Sequence, residues 1–466
     1  MGKGFEFVDG TKTDRSTRRA ARSHAMKGKN VGKRHQRGSK LDRSQPPDCR
    51  KSTILQVPCG PKDCAIRATR PAYGSFGPAS RPLLGPSLAL PLLLETTPHG
   101  LDIIKNYFTS VIEAVYPPVL GLPVAQIKSY WIQMLFLDRT SFHCSLALMA
   151  TLNAFVFARE DVPLEAIHHL GEAVNLVNQQ LNTTEALSDS SISVVNFLII
   201  LEMFRGEHLS AQVHVQGLRK MVSLRGGLSR PEIDPTLAMK ICKTDIDYAF
   251  HYGTPSSFYR DRMAQAAHSM GLSDLTVDLH SVHCRPGPGR IDDSLMRILL
   301  DVYQVSHWVN QHYSSLQTGT DVVQEVIVSV GYRLVRFHEL GGPQLEGKLE
   351  ACYHVGLVAF LTTMFLQTGG RRFLRYRLVR RCLRTAVERG LDEEDSDSML
   401  WLLFIGGLSV LEETDDAWLL PRISQVVQHL GIKSWLQLHE FLTRFPWISP
   451  IHDEAGKVLW NKVAQV

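Results

Sequence analysis

The chain has 466 residues, 44% hydrophobic and 21% charged, the balance of an ordinary soluble globular protein and not of a fibrous or fully disordered one. That length exceeds the roughly 250–300 residues at which single cores stop growing, so two or more structural units are expected. Its 8 cysteines are too sparse for a disulfide-stapled secreted fold, and no apolar leader opens the chain, so a reducing compartment is expected.

The net charge of +5 is unevenly spread. Residues 1–45 carry 13 Lys and Arg against 4 Asp and Glu, a net of +9, leaving 38 basic and 42 acidic side chains on the remainder. A basic arm on a slightly acidic body predicts a polyanionic partner or the nuclear import machinery. Within the arm, Arg15, Arg18, Arg19 and Arg22 recur at i, i+3, i+4 and i+7 behind a capping Asp14. On a helix they share one face, suited to tracking phosphates or entering a major groove. Lys27, Lys29, Lys33, Arg34 and Arg37 follow, separated by glycines. Binding of nucleic acid through such an arm releases counterions and weakens steeply with salt. A nuclear localisation signal in a disordered tail accounts for the same residues equally well. An RNA or membrane partner is less favoured, because aromatics are confined to Phe5 and Phe7.

Residues 46–98 hold 10 of the 23 prolines and 4 glycines, a density that reads as an extended or disordered linker, with Leu88–Leu94 expected to dock onto the body. From residue 99 to 466 the pattern turns helical. Ile103, Ile104, Phe108, Val111, Ile112 and Val115 recur at threes and fours, as do Val194, Phe197, Leu198 and Leu201, then Leu295, Ile298, Leu299 and Val302. Breakers such as Tyr116-Pro117-Pro118, Gly226-Gly227, Gly341-Gly342-Pro343 and Gly369-Gly370 separate the segments. Almost no period-two alternation occurs, so an all-α body of roughly a dozen helices is expected, without a solenoid repeat. The uncharged runs between Arg139 and Arg159 and between Glu350 and Arg371 carry enough polar residues to read as core helices, not membrane spans. One helix is expected from an N-cap at Ser210 to Arg225, with a stripe of Ala211, Val215, Leu218, Met221 and Val222, His214 beside it, and Gly226-Gly227 as a left-handed stop.

Catalytic and metal signatures are missing. Gly342 to Gly347-Lys348 has the glycine and lysine spacing of a phosphate loop, but Leu349 replaces the hydroxyl and the preceding segment reads as helix. Asp278, His280, His283 and Cys284 cluster without a second ligand group, and Cys49, Cys59 and Cys64 lack a Cys-x-x-Cys pair. No nucleophile elbow, zinc-protease helix or dinucleotide fingerprint occurs. The expectation is no catalytic residue, no metal and no cofactor.

The stretch His214-x-x-Gly217-Leu218-x-x-Met221-Val222-x-x-Arg225-Gly226-Gly227-Leu228 resembles the motif in the regulatory region of fungal-specific transcription factors. The opening, Phe5-x-Phe7 followed by Arg18-Arg19-x-x-Arg22-Ser23-His24-x-Met26-Lys27, is similar to that of a subset of the same proteins. The resemblance implies an all-α middle domain that regulates transcription, usually behind a binuclear zinc cluster of six cysteines. This sequence departs there, having no cysteine before Cys49, so a metal-organised DNA reader is not expected. His214, Gly217, Arg225, Gly226 and Gly227 carry over as determinants of fold, not as ligand contacts. The reading is a nuclear transcription regulator with arm-assisted DNA contact and a helical domain that binds a co-regulator, a second copy or a small effector, with no membrane partner. A nuclear co-regulator or scaffold that does not touch DNA competes with it, and an enzyme with a helical active site comes third.

Overall fold

The computed structural model describes residues 96–115, 124–157, 163–228, 233–272, 290–312, 320–364 and 374–465, with residues 367–368 and 371–372. All lie in one compact unit. The basic arm and residues 46–95 of the expected linker fall outside the described residues; its last residues already belong to the body, because Thr97 caps the first helix by accepting the Gly100 amide at 3.0 Å and Pro98 opens it.

The described chain is all-α. It begins with α1 (Pro98–Asn106), a π-turn (Tyr107–Val111) and α2 (Ile112–Val115), then α3 (Val124–Leu137), α4 (Arg139–Val156) and α5 (Leu164–Gln180). Next come α6 (Asp189–Arg205), α7 (His208–Leu224), α8 (Pro235–Tyr252) and α9 (Met263–Ser269). The second half holds α10 (Asp293–His312), α11 (Thr320–Phe337), α12 (Lys348–Thr362), α13 (Arg377–Glu388), α14 (Ser396–Ser409), α15 (Asp416–His429), α16 (Trp435–Leu442) and α17 (Ser449–Val463). These seventeen α-helices outnumber the expected dozen. The only strands among the described residues are Gln367–Thr368 and Arg371–Arg372, an antiparallel pair across Gly369-Gly370.

Side-chain caps set several boundaries. Asp138 Oδ1 accepts the Ser141 amide at 2.7 Å at the start of α4, and Asp234 Oδ1 accepts that of Leu237 at 3.0 Å at the start of α8. Each satisfies an amide that the first helical turn leaves without a partner, worth about 1 kcal/mol. The apolar stripes expected from the sequence are buried: Val194, Leu198 and Leu201 in α6, and Leu295, Ile298 and Leu299 in α10, are at most 1% exposed. Helices α4 and α5, and α6 and α7, pack as antiparallel neighbours, while α12 packs on both α13 and α14. The two uncharged runs became α4 and α12, apolar on nearly every face because helices surround them. No helix among the described residues is long and apolar enough to cross a membrane.

Gly356 of α12 is where that inner packing is closest. A Cβ there would lie 2.5 Å from Cζ3 of Trp401 in α14. The indole cannot yield easily, since Nε1 donates to the Pro446 carbonyl at 3.0 Å and the ring stacks on Phe445.

Candidate functional site

The helix of the regulatory motif is α7, and its buried face is Ala211, His214, Leu218, Met221 and Val222, with Val215 half-buried. Ser210 is not its cap. Gly206 ends α6 in the left-handed conformation at φ 72°, and one further residue, Glu207, turns the chain directly into α7. The helix therefore starts at His208 and carries Ser210 within its first turn. The far end matches expectation, with Gly226 and Gly227 at φ 91° and 95° and the Gly227 amide donating to the Val222 carbonyl at 2.9 Å. Only glycine takes two successive residues through this region cheaply. Arg225 reaches across the hairpin to Asp189 in the first turn of α6. Burial holds His214 down at about 4, so it sits neutral in the core as a packing residue.

The arm residues Arg15, Arg18, Arg19, Arg22, Lys27, Lys29, Lys33, Arg34 and Arg37 lie outside the described residues, as do Cys49, Cys59, Cys64, Asp278, His280, His283 and Cys284. Among the described residues no group of three or more His, Cys, Asp or Glu could hold a metal ion. The four cysteines described are free thiols. Burial pushes all four above the ordinary thiol value, that of Cys242 to about 12, so none is a ready nucleophile. The segment resembling a phosphate loop follows helix α11 and crosses to α12 as irregular chain, without the strand such a loop requires.

Two features were not read from the sequence. The first is a line of charges on α8. Lys243 donates to Gln324 of α11 at 2.9 Å, and Asp247 accepts a hydrogen bond from Tyr376, just before α13. Burial raises the Asp247 carboxyl to about 6, while Tyr376 and Lys243 oppose the shift. Asp245 accepts the amides of Ser257 and Phe258 at 2.9 Å and the Tyr332 hydroxyl at 3.1 Å. These groups tie α8 to α11, to the chain that follows α8 and to the start of α13. Each is held by partners within the protein, an arrangement that suits a rigid frame and no proton transfer.

The second feature is a cavity of about 210 Å³ between the α11–α12 loop, α12 and α13. Its loop wall is fixed from behind. Gly253, the left-handed cap of α8 at φ 70°, abuts Gly341, and a Cβ on Gly341 would lie 2.7 Å from the Gly253 carbonyl oxygen. The Cys382 thiol donates to the Leu340 carbonyl at 3.6 Å, pinning the loop to α13. Leu340, Leu345, Ala351, Val355 and Ala386 supply apolar walls; His338, His354, Arg381, Thr385 and Arg389 supply the polar ones. His354 donates through Nε2 to the Leu334 carbonyl at 3.2 Å, and burial lowers it to about 4. The signal in the sequence was the run of arginines from 371 to 389. Which of them share a cavity depends on how α13 is rotated against α12.

Residues 106–327 match the family model described as fungal specific transcription factor domain. The matched residues run from the end of α1 into α11 and include the whole α6–α7 hairpin with its His214-to-Gly227 motif. No curated protein matches the chain, and no solved structure does. Residues 106–327 of the helical body are thus similar to the fungal specific transcription factor domain.

Proposed function

We propose that the protein is a nuclear transcription regulator, with the basic arm making or assisting contact with DNA and the helical body binding a co-regulator, a second copy or a small effector. The match over residues 106–327 carries the regulatory half of this reading. The net charge of +9 on residues 1–45 supports the nuclear half, because a dense, sequence-local cationic segment suits both import receptors and a phosphate backbone. Control of a local set of biosynthetic genes is the role in keeping with this family. A family that regulates transcription also speaks for a non-enzymatic protein.

Occupancy of chromatin by the full chain is compared with that of a form lacking residues 1–45 and supplied with an independent import signal. Sharp sites that vanish with the arm are expected. Absence of sites in both forms would overturn the transcription reading. The cysteine-free arm favours one second reading, a nuclear co-regulator that does not touch DNA itself, for which sharp sites survive loss of the arm.

A further inference from the structure

We propose that the cavity between the α11–α12 loop, α12 and α13 binds a small organic anion, a carboxylate with an apolar body. This site adds to the regulatory reading and does not depend on it, since binding is measured on the isolated protein.

The charge pattern carries the argument. Arg381 and Thr385 on α13 and Arg389 at its C-terminal cap stand at i, i+4 and i+8, one stripe facing the cavity. The neighbouring arginines are used otherwise: Arg380 and Arg384 both donate to Asp415, at 2.7 and 3.2 Å. Arg381 is exposed and makes no ion pair among the described residues. Arg389 donates at 2.6 Å to each of the Leu345 and Glu346 carbonyls, which orients its guanidinium at the rim. Two of five N–H groups are so engaged, and about three remain for a ligand.

Among the described residues, no carboxylate lines the cavity beside these cations. Glu339 lines the smaller adjoining hollow beside Thr254. Glu350 accepts the Asp292 amide at 2.9 Å, and Glu388 accepts the Trp418 indole N–H at 3.2 Å, so both are turned to other elements. A space walled by cations and aliphatic side chains, with its acids directed elsewhere, is complementary to an anion whose remainder is apolar. Size narrows the class. A 150 Å³ apolar cavity holds a benzene-sized guest, so 210 Å³ fits a single ring or short chain bearing one carboxylate. A planar carboxylate also matches the fork of a guanidinium.

Benzoate is the probe, with benzyl alcohol as its neutral analogue and inorganic phosphate as an anion without an apolar body. Titrations of the full chain by NMR or calorimetry, at matched ionic strength, are run on wild type, Arg381→Ala and Arg377→Ala. Arg377 is exposed on the same helix but is not part of the cavity wall, and amide spectra of both variants check that the fold is kept. Saturable benzoate binding is expected, weakened about tenfold or more in Arg381→Ala, as for loss of one charge-assisted hydrogen bond, and unchanged in Arg377→Ala. Benzyl alcohol and phosphate are expected to bind at least about tenfold more weakly than benzoate. Equal binding of benzyl alcohol, equal binding of phosphate, an Arg381→Ala variant with undiminished affinity, or no saturable benzoate signal would each overturn the proposal.

Discussion

Arg225, the last residue of the motif before its double glycine, is hydrogen-bonded to Asp189 at the opposite end of the neighbouring helix pair member, closing the α6–α7 hairpin. The guanidinium is largely covered and the carboxylate nearly half exposed. The pair therefore ranks between a surface ion pair, worth about 0–1 kcal/mol, and a buried one whose rupture costs more. A double-mutant cycle with Arg225→Ala and Asp189→Ala is expected to show coupling of about 1 kcal/mol in urea unfolding. Additive single effects would mean that the pair with Asp189 does not hold the hairpin closed.

Gly356 against Trp401 is a contact that no side chain can enter. Gly356→Ala places a Cβ 2.5 Å from the indole, which is anchored through Pro446 and Phe445. Overpacking of this kind costs about 1–3 kcal/mol, which outweighs the gain of up to about 1 kcal/mol that alanine brings to a helix interior. The urea midpoint should fall; a midpoint that rises would mean that α12 and α14 separate freely.

Asp245 holds the chain after α8 by accepting two amides and one hydroxyl. In Asp245→Asn one oxygen must do the work of two, leaving a buried donor without its acceptor at a cost of about 1–3 kcal/mol. Amide hydrogen exchange should accelerate at Ser257 and Phe258 more than in α4 or α14. Uniform acceleration throughout the molecule would instead mean that the variant loses only global stability.

The buried histidines set a pH dependence. His214 and His354 are held down at about 4, and His452 at about 3, with burial the leading cause in each. Unfolded histidine titrates near 6.5. Between about 4 and 6.5 the unfolded chain therefore binds more protons, so the stability these residues contribute is complete above that window and lost as pH falls through it. Asp247, raised to about 6, runs the other way and offsets part of the loss. Burial raises Asp245, Asp301 and Asp397 as well, and holds the partly buried His169 and His251 down at about 4; with five histidines against these four carboxyls, acidification is expected to destabilise. Each such histidine contributes a slope of at most about 1.4 kcal/mol per pH unit. His214→Gln should flatten the dependence of unfolding free energy on pH between 6 and 4.5 by about that amount. An unchanged slope would show that His214 is protonated in the fold.

The sequence by itself determined the helical class, the core stripes and the ends marked by glycine pairs. These follow from rules acting within one turn of helix. Val194, Leu198 and Leu201 must share a face at that spacing, and Gly226-Gly227 can turn left-handed at little cost. Ser210 failed as a cap for a reason that is also local but depends on the preceding helix: α6 ends so tightly at Gly206 that α7 begins before Ser210 is reached.

Only the tertiary structure decided which helix met which. Arg225 could have stopped at the carbonyls of its own helix; it found Asp189 because α6 and α7 fold back on each other. Among the arginines from 371 to 389, charge alone could not separate Arg381, facing a cavity, from Arg380 and Arg384, which share Asp415 and pair further with Glu412 and Glu388. The rotation of α13 about its axis made that choice. It was set by burying Val379, Leu383, Ala386 and Val387, because removing their apolar surface from water outweighs the small energies of exposed ion pairs.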